Sequence, residues 1–152
     1  MANKQGFTIL ELIITMGIFA IVASLTTVNL TNSQRHTSLN STTTTLISDL
    51  KQQQIKSMTG DTEGRSISSS YGIHFDSNQY VLFHGDSYNS SDTSNFTITL
   101  DSNFSFLNLG NIVFSRINGE STGLTSIILR DNTINNQKDI RVNNYGVITD
   151  VL

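Results

Sequence analysis

From Phe7 to about Leu30 the chain is apolar apart from small polar residues and one carboxylate, Glu11. At 1.5 Å per residue a helix over that run covers roughly 36 Å, enough to cross the hydrocarbon core of a bilayer. From Thr31 to Met58 the apolar positions thin to a stripe of Leu39, Leu46, Ile47, Leu50, Ile55 and Met58 at mixed spacings of three, four and seven, the pattern of a half-buried helix. Asp49, Lys51, Gln52, Gln53 and Lys56 then face away, and Gly60 is the natural stop. One continuous helix from Phe7 to Thr59 would be roughly 80 Å long. Its weak point is Ser38 to Thr45, where Asn40 and four consecutive Thr residues have poor helix propensity.

Past the polar stretch Asp61 to Ser70 the period changes to two. Residues 71–75 and 79–84 predict a hairpin closed by the three turn residues Asp76, Ser77 and Asn78, with Tyr71, Ile73, Phe75, Val81 and Phe83 on one face as the cover for the helix stripe. Gly85 to Asn95 predicts an exposed, mobile loop. Further strands are expected at Phe96 to Leu100, Phe104 to Leu109, Ile112 to Ile117, Ser126 to Arg130, Ile140 to Asn143 and Gly146 to Thr149, with turn chemistry at Asp101 to Asn103, Asn118–Gly119 and Asp131 to Asp139. Regular strands after one long helix predict an α+β protein with an antiparallel sheet rather than βαβ units.

The 152 residues suit one modest domain behind an N-terminal helix. Net charge is −3, or −4 without Lys4, so no bulk attraction to nucleic acid is expected. With no cysteine, the Ser-, Thr- and Asn-rich head must hold together without disulfides.

Glu11 is the residue that most needs a reason. A carboxylate costs roughly 2.5 to 3.5 kcal/mol at the centre of a membrane helix and less near its end, and the apolar run offers no cation. Cleavage after Gly6 would create one, the free α-amine of Phe7, at the same depth in this chain or a neighbour. Residues Lys4-Gln5-Gly6-Phe7-Thr8-Ile9-Leu10-Glu11-Leu12 resemble the signature of type IV pilins and type II secretion pseudopilins: a basic leader ending in Gly, then Phe, then Glu at the fifth mature position. The resemblance implies a pilin-like fold, a long helix with a membrane-spanning first half packed on an antiparallel β-sheet head. It divides the chain into a leader at 1–6, a transmembrane and assembly helix at 7–30, its amphipathic continuation at 31–59 and a β-rich head at 60–152. It also implies cutting by a prepilin peptidase between Gly6 and Phe7, N-methylation of Phe7, and pairing of Glu11 with a neighbouring subunit's amine during filament assembly. The implied partners are other pilin or pseudopilin subunits, the peptidase, an inner-membrane assembly platform and membrane lipid. The implied location is the inner membrane, crossed once with the head outside and Lys4 inside, then a pilus or pseudopilus.

Beyond Leu30 the likeness is one of layout, closest to the minor, H-type pseudopilins. Many such proteins carry a Pro near the end of the membrane segment, where this chain has Val28-Asn29-Leu30. Gly17, Ala20 and Ser24 would permit close helix approach. A secretory signal peptide fits less well, because the apolar run is too long and Glu11 is out of place in it.

No nucleophile with a paired base, P-loop or dinucleotide fingerprint occurs, so no enzyme and no cofactor is expected. In the expected register His84 lies opposite Ser70, four residues from His74, roughly 13 Å apart and too far for zinc. Asp61-Thr62-Glu63 and Asp76-Ser77-Asn78 could bind calcium, but turn chemistry explains them equally well. Arg130, Lys138 and Arg141 would cluster on the C-terminal hairpin, where they could contact DNA, though beside Asp131 and Asp139 they suit an ordinary solvated edge better. The alternative reading is a competence or adhesion pilin whose exposed loops, especially Gly85 to Asn95, contact DNA or a surface.

Overall fold

A computed structural model describes residues 6–152, with the side chains of 25–36 excepted. The leader up to Gln5, with Lys4, lies outside the described residues. One helix, α1 (Ile9–Thr59), is followed by nine strands. The chain divides into two compact units with the boundary between Ser38 and Leu39.

In the first unit every described side chain from Gly6 to Ser24 is exposed, including Phe7, Ile9, Phe19 and Ile21. Among the described residues no helix is long and apolar enough to cross a membrane. The end of the expected span, residues 25–30, is outside the described side chains.

In the second unit α1 persists through its expected weak point. The hydroxyls of Thr43, Thr44 and Thr45 donate to the carbonyls of Leu39, Asn40 and Ser41 at 2.8, 2.9 and 3.1 Å. Side chains that would compete with the helix thus bond back onto it. The buried stripe is Leu39, Thr43, Leu46, Leu50, Gln53 and Ser57, alternately four and three apart as one helix face requires. Three expectations fail here. Ile55 and Met58 are exposed, whereas Gln53 is only 2% exposed. Ser57 takes the core position because its hydroxyl donates to the Phe114 carbonyl at 2.5 Å and a small side chain lets helix and strand approach. The stop is at Gly60, whose φ of 67° closes a Schellman motif through Gly60 N–H to Ser57 O and Asp61 N–H to Lys56 O.

The strands form two antiparallel sheets rather than one. The five-stranded sheet has the order β3 (Phe96–Thr99), β2 (Gln79–His84), β1 (Tyr71–Phe75), β5 (Gly110–Phe114), β6 (Ser121–Gly123). The four-stranded sheet runs β4 (Phe104–Phe106), β7 (Ser126–Asp131), β8 (Asn136–Val142), β9 (Ile148–Val151). Ile73, Phe75, Ile112 and Phe114 of the first meet Phe106, Ile127, Leu129 and Ile140 of the second in one core with Leu39, Leu46 and Leu50 of the helix. Phe106 links the sheets, edge-on to Phe75 at 5.1 Å and to Tyr80 at 6.1 Å.

The first hairpin forms where expected but one residue out of register. Asp76 N–H bonds to Gln79 O, leaving only Ser77 and Asn78 in the turn, and His84 pairs with Tyr71 instead of Ser70. A slip of one residue exchanges the faces. Tyr71, Ile73, Phe75 and Tyr80 therefore cover the core, and Val81 and Phe83 lie on the other side. That outer face is also covered: Tyr88 stacks on His74 at 3.9 Å and packs against Phe83 at 5.6 Å. The Gly85 to Asn95 segment is thus pinned to the sheet through Tyr88 rather than wholly free. Strand β6 was not expected because Ser121-Thr122-Gly123 carries no apolar alternation, and β8 starts at Asn136 inside the expected turn.

Candidate functional site

Gly6, Phe7 and Thr8 precede the first helical residue. A β-carbon added at Gly6 would meet nothing within 4 Å, and its φ is not in the left-handed region. Neither usual structural demand for glycine, positive φ or close approach, applies there. Phe7 is 81% exposed, so the Gly6–Phe7 peptide is unobstructed by the described residues.

Thr8 caps the helix. Its Oγ1 accepts the Glu11 N–H at 3.3 Å and its carbonyl accepts the Leu12 N–H at 3.2 Å. Thr8 thus holds the Ncap position and Glu11 the N3 position. This local role of Thr8 is legible in the Thr-x-x-Glu spacing. It gives Glu11 a bland reason to exist, since a carboxylate in the first turn gains about 0.3 to 1 kcal/mol from the helix dipole. That is smaller than the roughly 2.5 to 3.5 kcal/mol for an acidic side chain at mid-membrane. Among the described residues Glu11 takes part in no ion pair.

The family model described as a prokaryotic N-terminal methylation motif matches residues 1–27. The chain carries that motif. The match falls on the segment holding Gly6, Phe7 and Glu11, and it supports a type IV pilin-like or pseudopilin subunit that is processed at its N-terminus and assembles with other such subunits. No curated protein and no solved structure matches the chain significantly.

The other candidates separate in the fold. His74 and His84 are three residues apart on the observed ladder and so lie on opposite faces of the sheet. His74 has Asn111 Oδ1 at 2.6 Å and Asp76 Oδ1 at 3.2 Å, and His84 packs edge-on to Tyr71 at 5.3 Å. Asp61 accepts the Glu63 N–H, and Glu63 pairs with Lys56 and Arg65. The Lys56 ammonium holds the Glu63 carboxyl below its usual range against the opposing effect of burial. Asp76 holds His74 and Gln79. Both acidic stretches are thus engaged in turn and ion-pair contacts. The basic cluster does not form. Lys138 pairs with Leu129 and shares its face, whereas Arg130 and Arg141 point to the other side, opposite Gln137 and Ser126. Arg141 is bonded to Asp139 at 3.1 Å.

Proposed function

We propose that the chain is a structural subunit, a minor pilin or pseudopilin of a type IV pilus or type II secretion pseudopilus, cut between Gly6 and Phe7 and assembled through its N-terminal helix. The observation that carries this is the methylation motif lying on a helix whose apolar side chains are exposed at every described position up to Ser24. A helix apolar all round is stable in lipid or among other helices, not in water. Insertion across the inner membrane before assembly satisfies the first and filament packing the second. Prepilin peptidase would leave an α-ammonium at Phe7, just ahead of the positive end of the helix dipole. N-methylation keeps that charge. Glu11, from the same chain or a neighbour, is the carboxylate available to offset it. The reading assigns no catalytic step to the head.

Two variants test it. Gly6→Ala should leave the precursor uncut while the fold is unchanged, because the added methyl has open space. Glu11→Ala should be cut yet enter filaments poorly. Intact-mass measurement of native material decides the first: a mature N-terminus at a residue other than Phe7, or normal cutting of Gly6→Ala, overturns the processing step. Normal incorporation of Glu11→Ala overturns the pairing.

A further inference from the structure

A groove of about 520 Å³ runs between the second half of α1 and the β1–β2–β3 edge of the larger sheet. Its size is that of a small-molecule site. Gln53 and His84 both line it, and the Oε1 of Gln53 and the Nε2 of His84 are buried without a hydrogen-bond partner. Gln53 is a core position of the helix at 2% exposure, where a Leu would satisfy packing at no such cost. Unpaired buried polar atoms are uncommon and call for an explanation.

The charge of the groove narrows the ligand. Asp49 and Glu63 are balanced by Lys56, which lines the groove, and by Arg65, which bonds Glu63, so there is no net positive charge to draw in phosphates, nucleic acid or acidic sugars. Lys56 is already paired with Glu63, and Asp49 accepts the Tyr80 hydroxyl at 2.5 Å. The two unpaired atoms ask for a group that donates to Gln53 Oε1 and either donates to or accepts from His84 Nε2, depending on the imidazole tautomer. Hydroxyl groups do both. At the mouth Phe96 also lines the groove and is 65% exposed, a flat apolar ring on which the C–H face of a sugar can lie.

We infer that this groove binds a neutral polyhydroxylated ligand, a hexose-type sugar unit, with hydroxyls entering between Gln53 and His84 and the ring resting on Phe96. Entry requires side-chain adjustment at the groove floor, because both polar atoms are closed to water. The site is independent of the N-terminal processing segment, so a filament subunit would also carry a glycan contact on its head.

The test uses the full chain in a detergent without a sugar headgroup and saturation-transfer NMR with glucose, galactose, N-acetylglucosamine, maltose and lactose as probes. Saturable binding to at least one is expected, with a dissociation constant on the order of a millimolar. Phe96→Ala should weaken it at least about tenfold without lowering Tm, since the ring is exposed. Gln53→Leu should abolish it while keeping or raising Tm, because replacing an unpaired buried amide with an apolar side chain removes a cost. A purely structural Gln53 would lower Tm on this change. No saturable signal from any of the five sugars overturns the inference. So does binding unmoved by both substitutions, or saturation by inorganic phosphate or a polar peptide in place of sugar. Each of these outcomes leaves cutting after Gly6 untouched.

Discussion

Gly72→Ala probes the packing that sets the two faces of the larger sheet. Gly72 lies in β1, flanked by Phe83 of β2 and Val113 of β5. A β-carbon there would stand 2.6 Å from the Ile112 carbonyl oxygen and 2.5 Å from Phe83 Cζ. The first contact is with backbone in the middle of a sheet, and the second is with a ring that is 2% exposed and held by Tyr88. Neither can step aside freely, and overpacking of this kind costs about 1 to 3 kcal/mol. Against it stands a gain of about 0.4 to 1 kcal/mol, because alanine restricts the unfolded chain and the φ of Gly72 is one alanine can adopt. The clash wins, by about 1 to 2 kcal/mol, which lowers Tm by about 4 to 8 °C for a unit of this size. Thermal melting followed by far-UV circular dichroism measures it, with Gly6→Ala as the control expected to show no change. A Gly72→Ala protein that melts at or above the wild-type temperature would refute the close approach, and with it the register that puts Phe83 over Gly72.

Acidification below about pH 4.3 should lower Tm. The Lys56 hydrogen bond depresses the folded-state pKa of Glu63, and the Ser126 hydroxyl does the same for Asp139. Their stabilisation is therefore present above the unfolded values and lost as pH falls through the folded ones, so a Tm that rises on acidification through this window contradicts both pairings. Tyr88→Ala should release the Gly85 to Asn95 segment, with faster amide hydrogen exchange there and a loss of about 0.5 to 1.5 kcal/mol of ring packing. Unchanged exchange in that segment would show that the stack on His74 does not hold it.

Where periodicity and punctuation act together, the sequence suffices: the helix ends at Gly60 because only a residue tolerant of positive φ closes its last turn, and β1 and β2 lie where apolar alternation puts them. The failures share one physical cause, that burial follows backbone geometry and not side-chain polarity. Ser57 is in the core because its hydroxyl finds the Phe114 carbonyl, and Thr43 because it bonds to Leu39. Ile55 and Met58, more apolar than either, are left outside because they fall off the four-and-three spacing. The hairpin register depended on one hydrogen bond, Asp76 to Gln79, that residue composition does not encode, since Asp-Ser-Asn suits a turn of two residues as well as three. The basic cluster dissolved for the same reason, Lys138 being one residue out of step with Arg130 and Arg141.

Gln53 is different from these in a way that matters for function. Ser57 and Thr43 are polar residues whose burial is offset within the fold, so their presence in the helix stripe requires nothing from outside. Gln53 shares their face and their burial, yet its Oε1 has no partner, and the same holds for His84 Nε2 across the groove. The buried hydroxyls of Thr43 and Ser57 are satisfied, one on the helix itself and one on β5, whereas Gln53 Oε1 and His84 Nε2 are left without partners on two residues that line one groove, beside an exposed aromatic ring. The N-terminal segment has the matching character: Gly6 meets no packing demand, and among the described residues Glu11 takes part in no ion pair. Both places hold residues whose contacts within the fold do not account for them, which is why the two proposals place a processing enzyme and neighbouring helices at one and a hydroxyl-bearing ligand at the other.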